Sequence, residues 1–414
     1  MNIKTIHRHT ALLAILCMAV AMLAGCGNTS ASSDTASVSA VSEIVSEAPE
    51  QAEAAASEVA ASVEDTESVV EVASEAEEIP EVQPLEADEN GMVTITDMAG
   101  RTVTFPENPM VWNSSPTCEG WLCAIAPEQI IGFAAEFTPE QLAYYPAAVA
   151  DTPVIGGNFG NNEANTEGIL AVSPDVIINT YDVSEAALET SIATADAMAE
   201  QYGIPVIVVS RDIADTAKAA GLLGLWLGQP QRGAEVEAYL QTILDEIQDT
   251  IDAVPEDQVV TYYYAEGTDG LSTEAADSFH ADVYRYLGLK PAVGEDVAMS
   301  NFGGMEAVSL EQVLQWNPEY IFVWNAAAYQ EITTSGNWDS ITAVQNGNVY
   351  LNPSLPQNWV DRSPNALRIL GCLYTAAKCD PEQCTYDLSS EVQKFFRFMY
   401  DVELTPEQLS AVCD

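Results

Sequence analysis

Residues 27–90 contain no aromatic and no basic side chain, and they carry 17 acidic side chains among Ser, Ala and Val. A segment of this composition cannot bury enough apolar surface to offset its conformational entropy, and its like charges repel one another. We therefore predict a disordered acidic stalk over residues 27–90, which leaves residues 91–414 as the part of the chain that folds.

The N-terminal residues predict where the chain is delivered. A basic start, with Lys4 and Arg8, precedes an apolar run over residues 11–24. This run is shorter than the roughly 20 residues of a membrane-spanning helix and is typical of a signal-peptide core. Leu23-Ala24-Gly25-Cys26 resembles the lipobox of bacterial lipoproteins. We expect residues 1–26 to be a lipoprotein signal peptide and Cys26 to anchor the protein to the outer side of the cell membrane by lipid; an ordinary signal peptide with an incidental Cys is the alternative.

The remaining 324 residues are strongly acidic, with 46 acidic and 11 basic side chains. Nucleic acid is not expected as a partner, because a phosphate backbone is bound by clusters of Lys and Arg and the sequence contains no such cluster. The length exceeds that of one ordinary compact domain, so we expect two lobes.

The apolar patterning of residues 91–414 predicts an α/β fold with parallel sheets, because short apolar strands alternate with helices. The predicted elements are a hairpin over 93–105, strands over 176–178 and 205–209, helices over 186–202 and 214–227, a long helix over 233–253, and a second series with strands over 259–264, 320–324 and 349–351 and a helix over 278–287. The long helix is predicted from five apolar residues spaced three or four apart, namely Val236, Leu240, Ile243, Ile247 and Ile251. The pattern indicates an N-terminal α/β lobe (91–232), a linking helix (233–254) and a C-terminal α/β lobe (255–414).

Three segments carry a family resemblance: residues 97–103, 165–178 and 308–318. They resemble successive signatures of the helical-backbone, or class III, periplasmic binding proteins, which are the substrate-binding subunits of ABC importers for iron-siderophores, vitamin B12 and haem. The resemblance spans about residues 93–378. It implies two Rossmann-like lobes joined by a single backbone helix, a ligand held between the lobes, and delivery to a permease with its ATPase subunits.

The second and third segments are pseudo-repeats, one in each lobe. Ser173-Pro174-Asp175 and Asn317-Pro318-Glu319 each end a helix and begin a strand. The resemblance implies that one surface carboxylate on each lobe docks to arginines of the permease, at the matching positions Glu167 and Glu311. These glutamates could instead stabilise the helix starts through the helix dipole.

The ligand is expected between the lobes at the ends of the sheet strands. Trp359 offers a flat apolar face, and Arg362 offers a planar cation suited to carboxylate or catecholate oxygens. A core position for Trp359 and an ion pair between Arg362 and Asp361 are the alternatives. The other candidate ligand-binding residues are Trp112, Ser114, Tyr262, Tyr264, Glu266 and His280.

His280 is the only histidine after residue 26, although a lone histidine is more often a hydrogen-bonded surface or core residue than a metal ligand. Relatives that capture bare zinc or manganese use several imidazoles, so a metal chelate is the expected ligand. We expect a ferric siderophore, with a corrinoid, haem or a molybdate-type oxyanion as alternatives.

The chain is expected to be a monomer, to hold no cofactor or metal site of its own, and not to be an enzyme, since it lacks a Gly-x-Ser-x-Gly elbow and a phosphate-binding loop. A tethered surface sensor or adhesin is the rival interpretation.

Six cysteines follow residue 90, and four of them lie in the last 43 residues. Outside the cytoplasm they could form disulfides, such as Cys379–Cys384 or Cys372–Cys413. Free thiols are an alternative, and a zinc site is a weaker one, because the spacings lack paired CxxC knuckles. The segment from Cys379 to the end extends beyond the usual last helix of the family, and its apolar stripe over 395–400 predicts a packing helix.

Overall fold

The computed structural model of the chain describes residues 79–157, 164–294, 297, 304–361 and 365–413. These residues belong to one compact unit of the chain, Ser74–Asp414. The predictions for the signal peptide, for Cys26 and for Arg362 lie outside the described residues. None of the helices in the described ranges is long and apolar enough to cross a membrane.

The described residues contain short strands and mostly short helices that alternate along the chain. The strands are β1 (Met92–Thr96), β2 (Thr102–Pro106), β3 (Val111–Asn113), β4 (Ile130–Phe133), β5 (Val176–Tyr181), β6 (Val206–Ser210), β7 (Thr261–Ala265), β8 (Ser272–Thr273), β9 (Lys290–Pro291), β10 (Glu306–Ala307), β11 (Tyr320–Val323) and β12 (Val349–Leu351). The helices are α1 (Glu119–Ile125), α2 (Pro139–Leu142), α3 (Thr166–Val172), α4 (Leu188–Tyr202), α5 (Thr216–Trp226), α6 (Pro230–Ala253), α7 (Asp282–Tyr286), α8 (Leu310–Trp316), α9 (Ala326–Thr334), α10 (Thr342–Asn346), α11 (Arg368–Cys379), α12 (Leu388–Tyr400) and α13 (Pro406–Cys413).

Two four-stranded parallel sheets form the framework, one in each lobe. Their strand orders are β4-β3-β5-β6 and β9-β7-β11-β12. Relative to the chain, both orders are second-first-third-fourth, so each sheet has a switch point between its first and third strands. The predicted hairpin is confirmed, because β1 and β2 pair antiparallel across the turn at Gly100. The α/β fold with two lobes is therefore the one that the sequence predicted.

Each sheet is buried on both faces, as parallel sheets usually are. In β5, Ile178 faces a core shared by both lobes, whereas its neighbour Ile177 faces the outer core of the first lobe. In β7, Tyr262 and Tyr264 face the shared core and Tyr263 faces the outer core of the second lobe. The alternation of side chains along a strand thus assigns successive residues to different cores.

The long helix α6 begins at Pro230, three residues before the predicted start, and Pro is favoured at this first helical position. The predicted apolar stripe is buried in the shared core, except that Ile251 at its end is half-buried. Helix α6 packs closely on α5 through two glycines. A Cβ built on Gly224 would lie 2.3 Å from the Cα of Gly233, so neither position has room for a side chain.

The predicted pseudo-repeat is confirmed in the backbone. Helix α3 ends at Ser173 (φ 48°, ψ 64°) before β5, and helix α8 ends at Asn317 (φ 47°, ψ 62°) before β11. Both residues adopt the left-handed conformation that commonly ends helices. Each helix begins with a side-chain cap, from Asn165 and Ser309 respectively.

The C-terminal segment contains the predicted packing helix, α12. Phe395, Phe396 and Tyr400 are buried on one side of it, in the shared core. The Tyr400 hydroxyl donates to the Gly120 carbonyl at 3.1 Å, and Arg232 Nη2 of α6 donates to the Phe398 carbonyl at 2.6 Å. The last helices therefore pack against the N-terminal lobe as well as against α11.

Residues 79–90, which the sequence analysis assigns to the stalk, lie against the folded part. The Val82 amide donates to Gln231 Oε1 at 3.3 Å, and Leu85 and Ala87 pack against the shared core. The end of the acidic segment therefore buries apolar side chains against the folded part of the chain. Residues 27–78 lie outside the described ranges.

The six cysteines after residue 90 are free thiols. All are buried except Cys384, which is half-buried. Burial raises the pKa of Cys372 to about 12 and raises the pKa of Cys118 further still. Of the alternatives left open by the sequence, the structure shows the free thiols.

Candidate functional site

A cavity of about 620 Å³ lies between the two lobes. Its N-terminal wall consists of the segments that follow β5 and β6, at the carboxyl ends of these strands, and its C-terminal wall consists of residues 277–286. This is the place where open α/β sheets bind their ligands. The lining residues are Asp182, Val183, Ser184, Ser210, Arg211, Asp212, Ile213, Asp215, Asp277, Phe279, Asp282, Arg285 and Tyr286.

Arg211 connects the two walls of the cavity. It directly follows β6, and its amide donates to the Tyr181 carbonyl at 3.0 Å. Its guanidinium carbon lies 4.2 Å from the centre of the Phe279 ring in the opposite lobe, within the range of a cation–π contact. Its Nη2 donates to Asp182 Oδ2 at 2.8 Å. Arg211 is therefore a cation in the cavity wall that contacts both lobes.

Two further arginines surround Asp282 of α7. Arg285 bonds to the Asp282 carboxylate and donates to the Ser278 carbonyl at 3.1 Å. The buried Arg368 lies 2.9 Å from the other Asp282 oxygen, and its Nη1 donates to the carbonyl of Arg211 at 3.0 Å. Asp282 is thus held by two cations, and Arg368 links the second lobe to the backbone of the first.

Acidic residues outnumber basic ones in the cavity wall, with five aspartates against two arginines. Asp182 and Asp282 are paired with arginines as described. For Asp182, burial opposes ionisation, but hydrogen bonds from Ser184 and the charge of Arg211 outweigh it, so the pKa of Asp182 lies below its ordinary value. The exposed Asp212 accepts a hydrogen bond from the Ala214 amide.

The two tryptophans predicted to face the ligand lie in the core. Trp112 is fully buried, donates to the Gly156 carbonyl at 3.0 Å and packs edge-on against Tyr202. Trp359 is also fully buried and donates to the Leu355 carbonyl at 2.8 Å. Core packing, the alternative raised for Trp359, describes its position.

Three other predicted residues are brought together in a buried network around Asp361. The Tyr264 hydroxyl donates to Asp361 Oδ2 at 3.1 Å, and His280 Nδ1 bonds to the other Asp361 oxygen. Glu266 lies in the same cluster, whose third carboxylate is Glu274. The carboxylates of the cluster have protein interactions of their own, so we interpret it as a polar part of the C-terminal lobe.

Ser114 and Tyr262 are buried as well. Ser114 Oγ accepts a hydrogen bond from Asn179 Nδ2 at 3.4 Å, near the end of the first sheet. Tyr262 packs against Tyr284, with ring centres 4.5 Å apart. None of the described residues that the sequence analysis proposed as ligand contacts lines the cavity, so their ligand contacts stay predictions.

Arg211 and Phe279 are candidate ligand residues that the sequence analysis missed. A signal for Arg211 was present, because it follows a strongly apolar predicted strand and therefore belongs at a carboxyl sheet edge. Phe279 had a weaker signal, as the neighbour of the proposed ligand His280.

Glu167 and Glu311 occupy equivalent positions in the repeated helices α3 and α8. Each lies in the first turn and is exposed. Leu170, one turn after Glu167, is also highly exposed. Each lobe thus has one repeated helix whose first turn carries an exposed glutamate.

A buried glutamate lies where the lobes meet on another side. Glu119, at the start of α1, accepts a hydrogen bond from Gln357 Nε2 of the C-terminal lobe, and Asn365 Nδ2 donates to Gln357 Oε1 at 2.6 Å. The second oxygen of Glu119 has no hydrogen-bond partner among the described residues. Burial raises the pKa of Glu119 to about 8, although the hydrogen bond from Gln357 lowers it.

Known proteins are similar to this chain in sequence and in fold. The chain is 24% identical over 339 residues to the molybdate-binding protein MolA of Haemophilus influenzae, an alignment that covers 76% of this chain and 92% of that protein. It is 23% identical to the vitamin B12-binding protein of Vibrio campbellii, over 54% of this chain and 74% of that one. The structure is similar to that of an ABC transporter solute-binding protein from Sulfurospirillum deleyianum, with a TM-score of 0.69, 29% identity, and coverage of 77% of this chain and 98% of the other.

Residues 129–355 match the family described as periplasmic binding protein, and this match includes strands of both sheets and all of α6. The family assignment agrees with the resemblance found in the sequence and with the fold of two lobes joined by one long helix. The chain belongs to the periplasmic binding protein family and has the class III fold.

Proposed function

We propose that the protein is the substrate-binding lipoprotein of an ABC importer and that it captures an iron chelate of the ferric siderophore type between its lobes. The observation that carries this proposal is the cavity of about 620 Å³ at the carboxyl ends of β5 and β6, with the cation Arg211 and the ring of Phe279 in its walls. In this role the protein binds and delivers its ligand without changing it chemically.

The size of the cavity supports a chelate. Its volume falls within the roughly 300–1,000 Å³ of small-molecule sites. A tetrahedral oxyanion has few atoms and would leave most of this space to water. A corrinoid, with its macrocycle and nucleotide loop, is larger than this cavity and would extend out of its open side. An iron chelate of intermediate size has both the bulk and the oxygen-rich surface that suit this site.

A molybdate-type oxyanion is the second candidate. The observation that favours it is the alignment with the molybdate-binding protein of Haemophilus influenzae, which covers 92% of that protein. The guanidinium of Arg211 is chemically suited to an oxyanion as well, because it presents several N–H donors in one plane.

Anchoring and docking complete the proposal. Lipid on Cys26 would hold the protein at the membrane, and Glu167 and Glu311 would bring it to the permease with one contact from each lobe. The separation of these glutamates onto equivalent helices of the two lobes supports a permease that contacts both lobes at once.

The experiment is a thermal unfolding series of the purified protein with ferric hydroxamate and catecholate siderophores, cobalamin, haem and molybdate. A ligand that binds the folded state alone raises the unfolding midpoint, by an amount that grows with its concentration. We expect a ferric siderophore to raise the midpoint and cobalamin to leave it unchanged. A rise with molybdate alone would establish the second candidate, and no rise with any compound would contradict both.

A further inference from the structure

We propose that Arg211 recognises an anionic oxygen group of the ligand, and that capture exchanges the carboxylate of Asp182 for this oxygen on the guanidinium. The inference rests on the proposed function, which places the ligand in the cavity between the lobes. It specifies the chemical group that the site recognises. This group is an exposed anionic oxygen, either on a chelate or in a free oxyanion.

Arg211 has unused capacity to bind such a group. An arginine side chain carries five N–H donors. Among the described residues, the side chain of Arg211 makes one hydrogen bond, to Asp182. The contact with Phe279 occupies the face of a guanidinium rather than its donors. The backbone of Arg211 is held on both sides, by Tyr181 and by Arg368, so the group is positioned before the ligand arrives.

The carboxylate of Asp182 is positioned so that it can separate from the guanidinium of Arg211. Its side chain is 34% exposed, whereas that of Arg211 is 19% exposed, so water can solvate the carboxylate when the ion pair breaks. An ion pair that water reaches on one side is weaker than a fully buried one, because water screens the attraction. A ligand oxygen that binds the guanidinium in a less hydrated position can therefore replace it.

The second cavity arginine, Arg285, is more exposed and has a more firmly held counter-ion. The side chain of Arg285 is 50% exposed, and it bonds both to Asp282 and to the Ser278 carbonyl of its own lobe. Its counter-ion is also held by the buried Arg368, so Asp282 has no comparable freedom to leave. Arg285 is therefore a matched control for Arg211, with the same charge in the same cavity.

The test measures dissociation constants by calorimetry for the purified protein, with a ferric trihydroxamate, a ferric catecholate siderophore and molybdate as probes. We expect Arg211→Gln to weaken binding of the bound probe at least roughly tenfold, since a hydrogen bond to a charged group is lost. Arg285→Gln should weaken binding clearly less than Arg211→Gln does. Equal losses in both variants would overturn the proposal.

A second pair of variants keeps the test independent of the loss of Arg211. Asp182→Asn and Asp277→Asn each remove one negative charge from the cavity wall, but only Asp182 bonds to Arg211. We expect Asp182→Asn to tighten binding several-fold more than Asp277→Asn. Equal effects of the two variants would mean that any negative charge in the cavity wall weakens binding, and this result would overturn the exchange.

The outcomes separate the two proposals. A wild type that binds none of the probes would overturn the proposed function and the exchange with it. A wild type that binds a chelate without any dependence on Arg211 would overturn the exchange alone. Binding of molybdate alone, lost in Arg211→Gln, would support the exchange and identify a free oxyanion as the source of the oxygen group.

Discussion

Glu119 should make the stability of the protein depend on pH in the direction opposite to that of a carboxylate whose pKa is lowered by folding. It is almost fully buried where the lobes meet, and Gln357 supplies its hydrogen bond. The titratable groups that face it are Cys118 and Cys123 of its own segment, Tyr145, and Tyr400 of α12. Among the described residues, no cation contributes to its pKa, so no positive charge there compensates the burial of the carboxylate.

Proton linkage determines whether the free energy of unfolding rises or falls with pH. The pKa of Glu119 is 4.5 in the reference state and about 8 in the folded protein. Between these values the folded state holds a proton that the unfolded state has released, so the free energy of unfolding falls as the pH rises. The slope is about 1.36 kcal/mol per pH unit, which amounts to about 5 kcal/mol over the whole interval.

The variant Glu119→Gln imitates the protonated carboxyl, and its side-chain oxygen can still accept a hydrogen bond from Gln357. We expect the free energy of unfolding of the variant, relative to wild type, to increase by about 3 kcal/mol between about pH 5 and pH 7.5. Urea titrations at several pH values measure it. Glu128→Gln, which removes an exposed carboxyl close to the same helix, controls for the loss of one negative charge. A difference between Glu119→Gln and wild type that stays constant with pH would contradict a raised pKa of Glu119 in the folded protein.

Two other predictions concern the docking surface and the helix contact. Alanine at both Glu167 and Glu311 should abolish ligand uptake by cells and leave the dissociation constant of the purified protein unchanged; unimpaired uptake would show that these glutamates do not dock. Gly233→Ala places a Cβ about 2.6 Å from the Cα of Gly224, so it should lower the free energy of unfolding by about 1–3 kcal/mol. Its control is Gly221→Ala, whose Cβ has the end of the flexible Glu237 side chain as its nearest neighbour, and which should be neutral or stabilising by up to about 1 kcal/mol. Equal losses in the two variants would contradict the close contact as the cause.

The sequence predicted most of the fold because its signals are local. The apolar stripe of residues 233–253 requires a long helix, and the pattern of Ser173-Pro174 and Asn317-Pro318 requires a helix end before a strand. Element boundaries differed by a few residues, as at Pro230, where a proline can begin a helix that the stripe does not yet mark.

The site was harder to predict, because a side chain's direction depends on which layer covers each face of the sheet. Alternation correctly placed Tyr262 and Tyr264 on one face, but that face is the shared core and does not line the cavity. The sequence does not indicate this, since both faces of the sheet are apolar. Arg211 became a candidate only when the structure brought it to Phe279, 68 residues further along the chain.

Capture of an iron chelate between the lobes is tested most directly by a crystal structure of the protein grown with a ferric siderophore, with the iron located by its anomalous scattering. We predict iron in the cavity between the segments after β5 and β6 and residues 277–286, with a ligand oxygen within hydrogen-bond distance of Arg211. Iron bound at any other place on the protein, with this cavity empty, would contradict it.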